Sequence, residues 1–175
     1  MASLAQARSL IREVPDFPQP GIVFKDITPV LGDAAALQAV LDAMEARLRG
    51  RGFQRILAIE SRGFFFGGAL ADRLKIGLSS VRKLGKLPYK TDGIEYALEY
   101  GKGTLDAHVD AVHRGQKVAI VDDLLATGGT AWGAAQLVQK QQGEVGAFLF
   151  VVELAFLKGR ERIAGAGPVE SLIVF

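Results

Sequence analysis

Asp122 and Asp123 stand side by side at the end of an apolar run, Val118-Ala-Ile-Val121, and Leu124-Leu-Ala126 separates them from Thr127-Gly-Gly-Thr130. Two adjacent carboxylates can accept hydrogen bonds from two neighbouring hydroxyls, which is what a ribose 2′,3′-diol presents. Gly128 and Gly129 let the backbone close around an anion, and Thr127 and Thr130 add hydroxyl donors. A helix starting there contributes free N–H groups and the positive end of its dipole. Ala126–Thr130 therefore suits a phosphate monoester, and the whole segment suits a sugar phosphate. Two other readings start from the same residues. Paired aspartates after an apolar strand also close a Walker B element, and Thr-Gly-Gly occurs in ordinary turns. The chain has no G-x-x-x-x-G-K-[ST] and no G-x-G-x-x-G after a strand, so it lacks both the P-loop cradle and the dinucleotide fingerprint.

Other residues that could do chemistry are few. Glu60-Ser-Arg-Gly63 comes directly after a short apolar run, and Arg62 with backbone amides would suit a polyphosphate. Arg82, Lys83, Lys86 and Lys90 form the one local basic cluster, which by composition is equally a solvated loop. His108 and His113 lie near Asp106 and Asp110, but no third histidine supports a metal site, and both read as surface residues.

These residues need elements to position them. The pattern predicts a short helix over Ser3–Val14, then a rigid loop over Pro15-Asp-Phe-Pro-Gln-Pro-Gly21. Asp33 should cap a helix whose stripe of Leu37, Val40, Leu41, Met44 and Leu48 faces the core and which Gly50 closes. Ile56–Ile59 reads as a buried strand, succeeded by a turn at Glu60–Gly63, a helix over Phe64–Leu74 and a strand over Leu78–Val81. Residues 94–100 alternate, with Ile94, Tyr96, Leu98 and Tyr100 on one face and Glu95 and Glu99 on the other, as in one arm of a flap. Val118–Val121 reads as a central parallel strand whose carboxylates sit at a solvent-facing end. A helix to about Gln142 comes next, then strands over Val145–Leu154 and Val169–Phe175. Strands alternating with helices predict an α/β fold, one domain with a mainly parallel central sheet flanked by helices. In such sheets ligands bind beyond the carboxyl ends of the strands, after Ile59 and Val121.

Composition agrees. The 175 residues suit one domain, and 49% hydrophobic with 23% charged residues is globular. No run of about 18 apolar residues and no signal-peptide pattern occurs, so a soluble, cytoplasmic protein with no membrane partner is expected. The absence of cysteine excludes thiolate catalysis and cysteine-ligated metals. A net charge of +2 lacks the concentrated stripe of a nucleic-acid surface, and no nucleic-acid partner is expected.

The 118–130 segment resembles the phosphoribosyl-pyrophosphate signature of the type I phosphoribosyltransferases. Pro15–Pro29, Glu60–Gly63, Arg82–Pro88, Leu98–Lys102 and Val152–Leu154 resemble, in order, motifs of the adenine-using branch of that family, from about Pro15 to Arg162. The resemblance implies a single phosphoribosyltransferase domain over 1–175, with an N-terminal helix and base-binding hood at 1–32 and a flexible flap at 82–104. It implies transfer of a phosphoribosyl group to adenine, giving AMP and pyrophosphate. Asp122 and Asp123 would hold the ribose hydroxyls and Ala126, Thr127, Gly128, Gly129 and Thr130 the 5′-phosphate. Ser61 and Arg62 would hold pyrophosphate, with an unusual peptide geometry before the serine, and Lys83 and Lys86 would join them, from this subunit or across a dimer. Leu84 replaces a commonly basic position in that cluster. Phe24 would stack on the base opposite Leu154, and the backbones of Val23 and Lys25 would read its edge; without the resemblance, Phe24 and Leu154 read as core. Glu99 and Arg62 are the implied catalytic residues. Mg²⁺, bound mainly through substrate oxygens and water, and a homodimer are implied too. Relatives for 6-oxopurines carry an aspartate where this chain has Ala126, which favours adenine. A transferase for xanthine or another purine is the alternative, or, in a different class, a regulator that only senses phosphoribosyl pyrophosphate.

Overall fold

The computed structural model describes residues 3–17, 20–97 and 102–175. The chain forms helix α1 (Leu4–Leu10), strands β1 (Arg12–Pro15) and β2 (Val23–Asp26), helices α2 (Thr28–Gly32) and α3 (Ala34–Leu48), and strand β3 (Arg55–Ile59). Next come helix α4 (Gly63–Leu74), strands β4 (Gly77–Lys83), β5 (Thr91–Ala97), β6 (Lys102–His108) and β7 (Lys117–Leu125), and helix α5 (Gly129–Lys140). Strand β8 (Glu144–Glu153), helix α6 (Gly159–Ile163) and strand β9 (Val169–Val174) complete it.

Seven strands make one sheet in the order β5-β6-β4-β3-β7-β8-β9. The five from β4 to β9 are parallel, and β6 and β5 add antiparallel at one edge. The mainly parallel α/β sheet is therefore as expected. Its strands alternate their apolar side chains between two cores. Ile56, Ala119, Val121, Leu149 and Val151 face α3 and α4, where Met44, Leu48, Phe66 and Leu70 are buried. Leu57, Ile59, Ile120, Phe148 and Phe150 face α5, through Ala134, Leu137 and Val138. Burial on both faces is why the central strands read as continuous apolar runs.

Helix α3 starts where its cap predicts, with Asp33 Oδ1 accepting from Ala36 N at 2.8 Å. Val40, Leu41, Met44 and Leu48 are buried, and Leu37 packs at the core's edge. Two expectations fail. The helix over Ser3–Val14 ends at Leu10, because residues 12–15 pair antiparallel with 23–26 as a two-stranded hairpin. Strand β7 also runs four residues past Val121, held by β8 through Leu125. The arm read over 94–100 is described from Thr91 to Ala97, where β6 is its second arm and the pair extends the main sheet; residues 98–100 lie outside the described residues. Of the two histidines, His113 is exposed, but His108 is partly buried beside the Tyr89 ring, at 6.0 Å between centroids.

Candidate active site

Parallel pairing of Arg55–Ala58 with Val118–Val121 sets the carboxyl ends of β3 and β7 side by side. The turns leaving the two strands must then meet, and Glu60–Arg62 meets Asp122–Asp123. A cavity of about 310 Å³ opens there, lined by Glu60, Ser61, Arg62, Lys83, Asp122, Asp123, Leu124 and Thr130. The peptide before Ser61 is cis, in keeping with the geometry the resemblance implies. Arg62 Nε donates to Asp123 Oδ2 at 2.5 Å, and its guanidinium lies 5.4 Å from the centre of the Phe24 ring. Strand β2 thus reaches the site through Phe24, which also packs edge-on to Phe17.

The carboxylates are not at a solvent-facing end. Asp123 is only 5% exposed, and Asp122 is half-buried. Asp122 Oδ1 accepts from Asp123 N at 2.8 Å. Burial, and then the neighbouring charge of Asp123, push the Asp122 carboxyl well above the usual carboxylate range. One member of the pair is tied to a cation, and the other resists ionisation.

Beyond β7 the chain turns at Gly128, whose φ of 78° places it in the left-handed region, and α5 begins at Gly129. No side chain caps this helix, so the amides of its first turn face a small cleft lined by Ala126, Thr127, Gly128, Gly129 and Thr130. That is an anion site by geometry.

Glu60 joins the site without having been assigned a role from sequence. It accepts from Arg82 Nε at 3.3 Å, Arg82 Nη2 at 3.2 Å and Lys83 N at 3.0 Å. Arg82, acting first, and the Lys83 amide hold its carboxyl below the usual range. The pairing orders the end of β4, so that Lys83 lines the cavity. Lys86 is exposed and does not line it; its carbonyl accepts from Arg82 Nη1 at 3.0 Å. Leu154 is buried directly after β8, and its amide donates to the Leu125 carbonyl at 2.9 Å. Val23 is exposed and Lys25 ion-pairs with Glu13 across the hairpin. Glu99 lies outside the described residues, as do Leu98, Tyr100 and Gly101. Glu153, Gly159 and Arg160 back the phosphate-type loop, and no local signal marked Gly159, whose loop contacts lie some thirty residues away, or Arg160, whose partners lie on β8 and β9. Among the described residues no group of three or more His, Cys, Asp or Glu is placed to hold a metal ion. No helix among them is long and apolar enough to cross a membrane.

The family model for the phosphoribosyl transferase domain matches residues 31–171. The chain belongs to the phosphoribosyltransferase family. Within it, the chain is 52% identical to an adenine phosphoribosyltransferase of Sorangium cellulosum (strain So ce56), covering 99% of this chain and 88% of that one. It is 51% identical to the enzyme of that name from Thermoanaerobacter sp. (strain X514), with 99% of each covered. The crystal structure of adenine phosphoribosyltransferase from Thermoanaerobacter pseudethanolicus superposes with a TM-score of 0.96 at 51% identity, covering 99% of this chain and 100% of that one. The Saccharomyces cerevisiae enzyme, solved with adenine and an imino-altritol bisphosphate, gives a TM-score of 0.91 at 36% identity, with 97% of each chain covered.

Proposed function

We propose that this chain transfers the phosphoribosyl group of phosphoribosyl pyrophosphate to N9 of adenine, forming AMP and pyrophosphate as in purine salvage. One observation carries the reading: a cavity joins a basic turn, Ser61–Arg62, to a carboxylate pair, and the uncapped start of α5 opens on an adjoining cleft that shares Asp122, Leu124 and Thr130 with it. Leaving group, diol and 5′-phosphate each have a matching chemistry there. The similarity to adenine phosphoribosyltransferases supports the choice of base.

Asp123 and Asp122 accept hydrogen bonds from the ribose hydroxyls. Ala126–Thr130 hold the 5′-phosphate with the amides of the α5 start. Ser61 and Arg62 take pyrophosphate, with Lys83 and, from further out, Lys86. For Arg62 this means exchanging some of its contact with Asp123 for phosphate oxygens. The base rests between Phe24 and Leu154, its edge read by the backbones of Val23 and Lys25. Adenine's exocyclic amine donates and a ring nitrogen accepts, which a strand backbone can match. As the C1′–oxygen bond to pyrophosphate breaks, the N9 lone pair forms the new bond to C1′, and the N9 proton passes to Glu99. The hood, residues 1–32, and the flap, residues 82–104, exclude water that would hydrolyse the ribosyl centre.

Magnesium fits this donor set. It usually takes one or two carboxylates and keeps substrate oxygens and waters, and a pair of aspartates beside a pyrophosphate site offers that. Asp122 and Asp123 would be the protein's carboxylates nearest to it, and the ion would neutralise the leaving group's charge. A homodimer and a cytoplasmic setting belong to the same proposal; sedimentation velocity and cell fractionation test them.

Coupled assays test the activity itself. AMP should form from adenine and phosphoribosyl pyrophosphate with magnesium, and chelation should abolish turnover. Hypoxanthine, guanine and xanthine should be at least ~10²-fold poorer in kcat/KM, because a carbonyl leaves the site's buried groups unpaired. Comparable turnover of xanthine or hypoxanthine would overturn the choice of base and spare the phosphoribosyl chemistry.

A further inference from the structure

The Ala126–Thr130 loop has a wall behind it. Strand β8 runs beside β7 to its end, pairing Glu153 with Leu125. The chain then turns through Ala155–Leu157 and Lys158, whose φ is 55°, and brings Gly159 against the loop. A methyl group on Gly159 would sit 2.1 Å from the Ala126 carbonyl oxygen and 2.9 Å from the Gly128 nitrogen. One on Gly128 would sit 2.6 Å from the Gly159 carbonyl oxygen. The two backbones touch, and neither glycine can carry a side chain unless the loop moves.

Arg160 holds that contact in place. Its Nε and Nη2 donate to Glu153 Oε1 and Oε2 at 2.9 and 2.5 Å, and its Nη1 donates to the Val169 carbonyl at 2.5 Å. The planar fork ties the start of α6 to β8 and β9 at once. Glu153 is 5% exposed, a burial that a carboxylate tolerates when so paired. Those hydrogen bonds keep its carboxyl below the usual range.

We propose that Glu153, Gly159 and Arg160 are positioning residues that set the opening of the phosphate loop. Their effect then falls on ligands that carry a 5′-phosphate and spares the base. The inference rests on reading Ala126–Thr130 as the 5′-phosphate cradle. Amides converging on one anion tolerate little displacement, since misplacement by about 1 Å can cost about a hundredfold. Gly159 meets the loop at Ala126 and Gly128, whereas Leu154, the base-side residue next to Glu153, is held separately by its amide bond to the Leu125 carbonyl.

Calorimetry on the full chain with AMP and with adenosine tests this, since the pair differs only in the phosphate. Gly159→Ala presses on Ala126 and leaves the ion pair alone, and Arg160→Lys keeps the charge but gives up the fork. Both should bind AMP at least ~10-fold more weakly while adenosine stays within about twofold. In steady state the KM for phosphoribosyl pyrophosphate should rise and that for adenine should hold. Parallel losses for AMP and adenosine, or no loss in folded variants, would overturn the proposal. So would failure of both variants to fold, which would make the clamp a support of the fold alone. If the unmodified chain bound AMP no better than adenosine, the cradle assignment itself would fall, a distinguishable result.

Discussion

Asp122 keeps its proton in the folded chain at pH values where the unfolded chain has released it, because burial and Asp123 both disfavour the anion. The folded state then binds more protons than the unfolded one. Stability is full below the ordinary aspartate range, near pH 4, and falls as pH rises through the raised value. Asp122→Asn should therefore melt at a higher temperature than the unmodified chain at neutral pH, with the gap closing under mildly acidic conditions. The same variant, and Asp123→Asn, should bind phosphoribosyl pyrophosphate more weakly by about 1.5–3 kcal/mol, roughly tenfold to a hundredfold. Thermal melts across pH and calorimetry check the two halves separately; unchanged affinity in both variants would refute the diol assignment. Glu99 is tested by kinetics. Glu99→Gln should lower kcat by about 10²–10⁴ with little change in substrate binding, and Glu95→Gln should stay within about threefold. Residue types made the cavity legible in advance at Ser61, Arg62, Asp122, Asp123 and Thr130, because each belongs to a short motif at a strand end. Glu60 was harder to read. A lone glutamate carries no signal until a partner strand brings Arg82 and Lys83 to it.

Elements were legible wherever one local rule was enough. Asp33 and a five-residue apolar stripe define α3, and an uninterrupted apolar run defines the core of β7. Strand β6 escaped because Lys102-Gly-Thr-Leu-Asp-Ala-His108 has few apolar residues of its own and is stabilised by pairing with β5 and β4. Strand β1 escaped for a related reason: its four residues continue a helical spacing, and only the distant β2 overrides it. The same antiparallel edge yields a prediction. Tyr96 is buried, and its ring lies so close to Gly103 that a methyl group there would meet it at 2.8 Å, while Gly133 on α5 receives its other edge. Tyr96→Ala should remove about 3 kcal/mol, in the range for emptying a buried aromatic site. Urea unfolding reads the loss, and hydrogen exchange should localise the loosening to β5 and β6. If the arm positions Glu99, kcat should fall with it.

The whole molecule places its chemistry on a seam between distant parts of the chain. Arg62 and Asp123 are 61 residues apart in sequence, and the β3–β7 pairing that unites them spans a similar distance. Non-local parallel pairing is slow to form, since loop closure precedes any gain from contact. Trp132, the only tryptophan, packs on α5 against the second core and reports on that closure. Refolding from urea should recover transferase activity at the rate of the slowest tryptophan phase, with no earlier burst. Activity ahead of fluorescence would mean that the seam closes before the core. A ribosome emits this chain from its N-terminus, so β3 and Arg62 emerge well before Asp123 exists. Until β7 pairs with β3, the Arg62 turn lacks its Asp123 partner, and on the proposed roles the nascent protein should neither capture phosphoribosyl pyrophosphate nor hydrolyse it. Competence should then switch on late, and a truncated or stalled product should be inert instead of being a leaky hydrolase of an activated sugar.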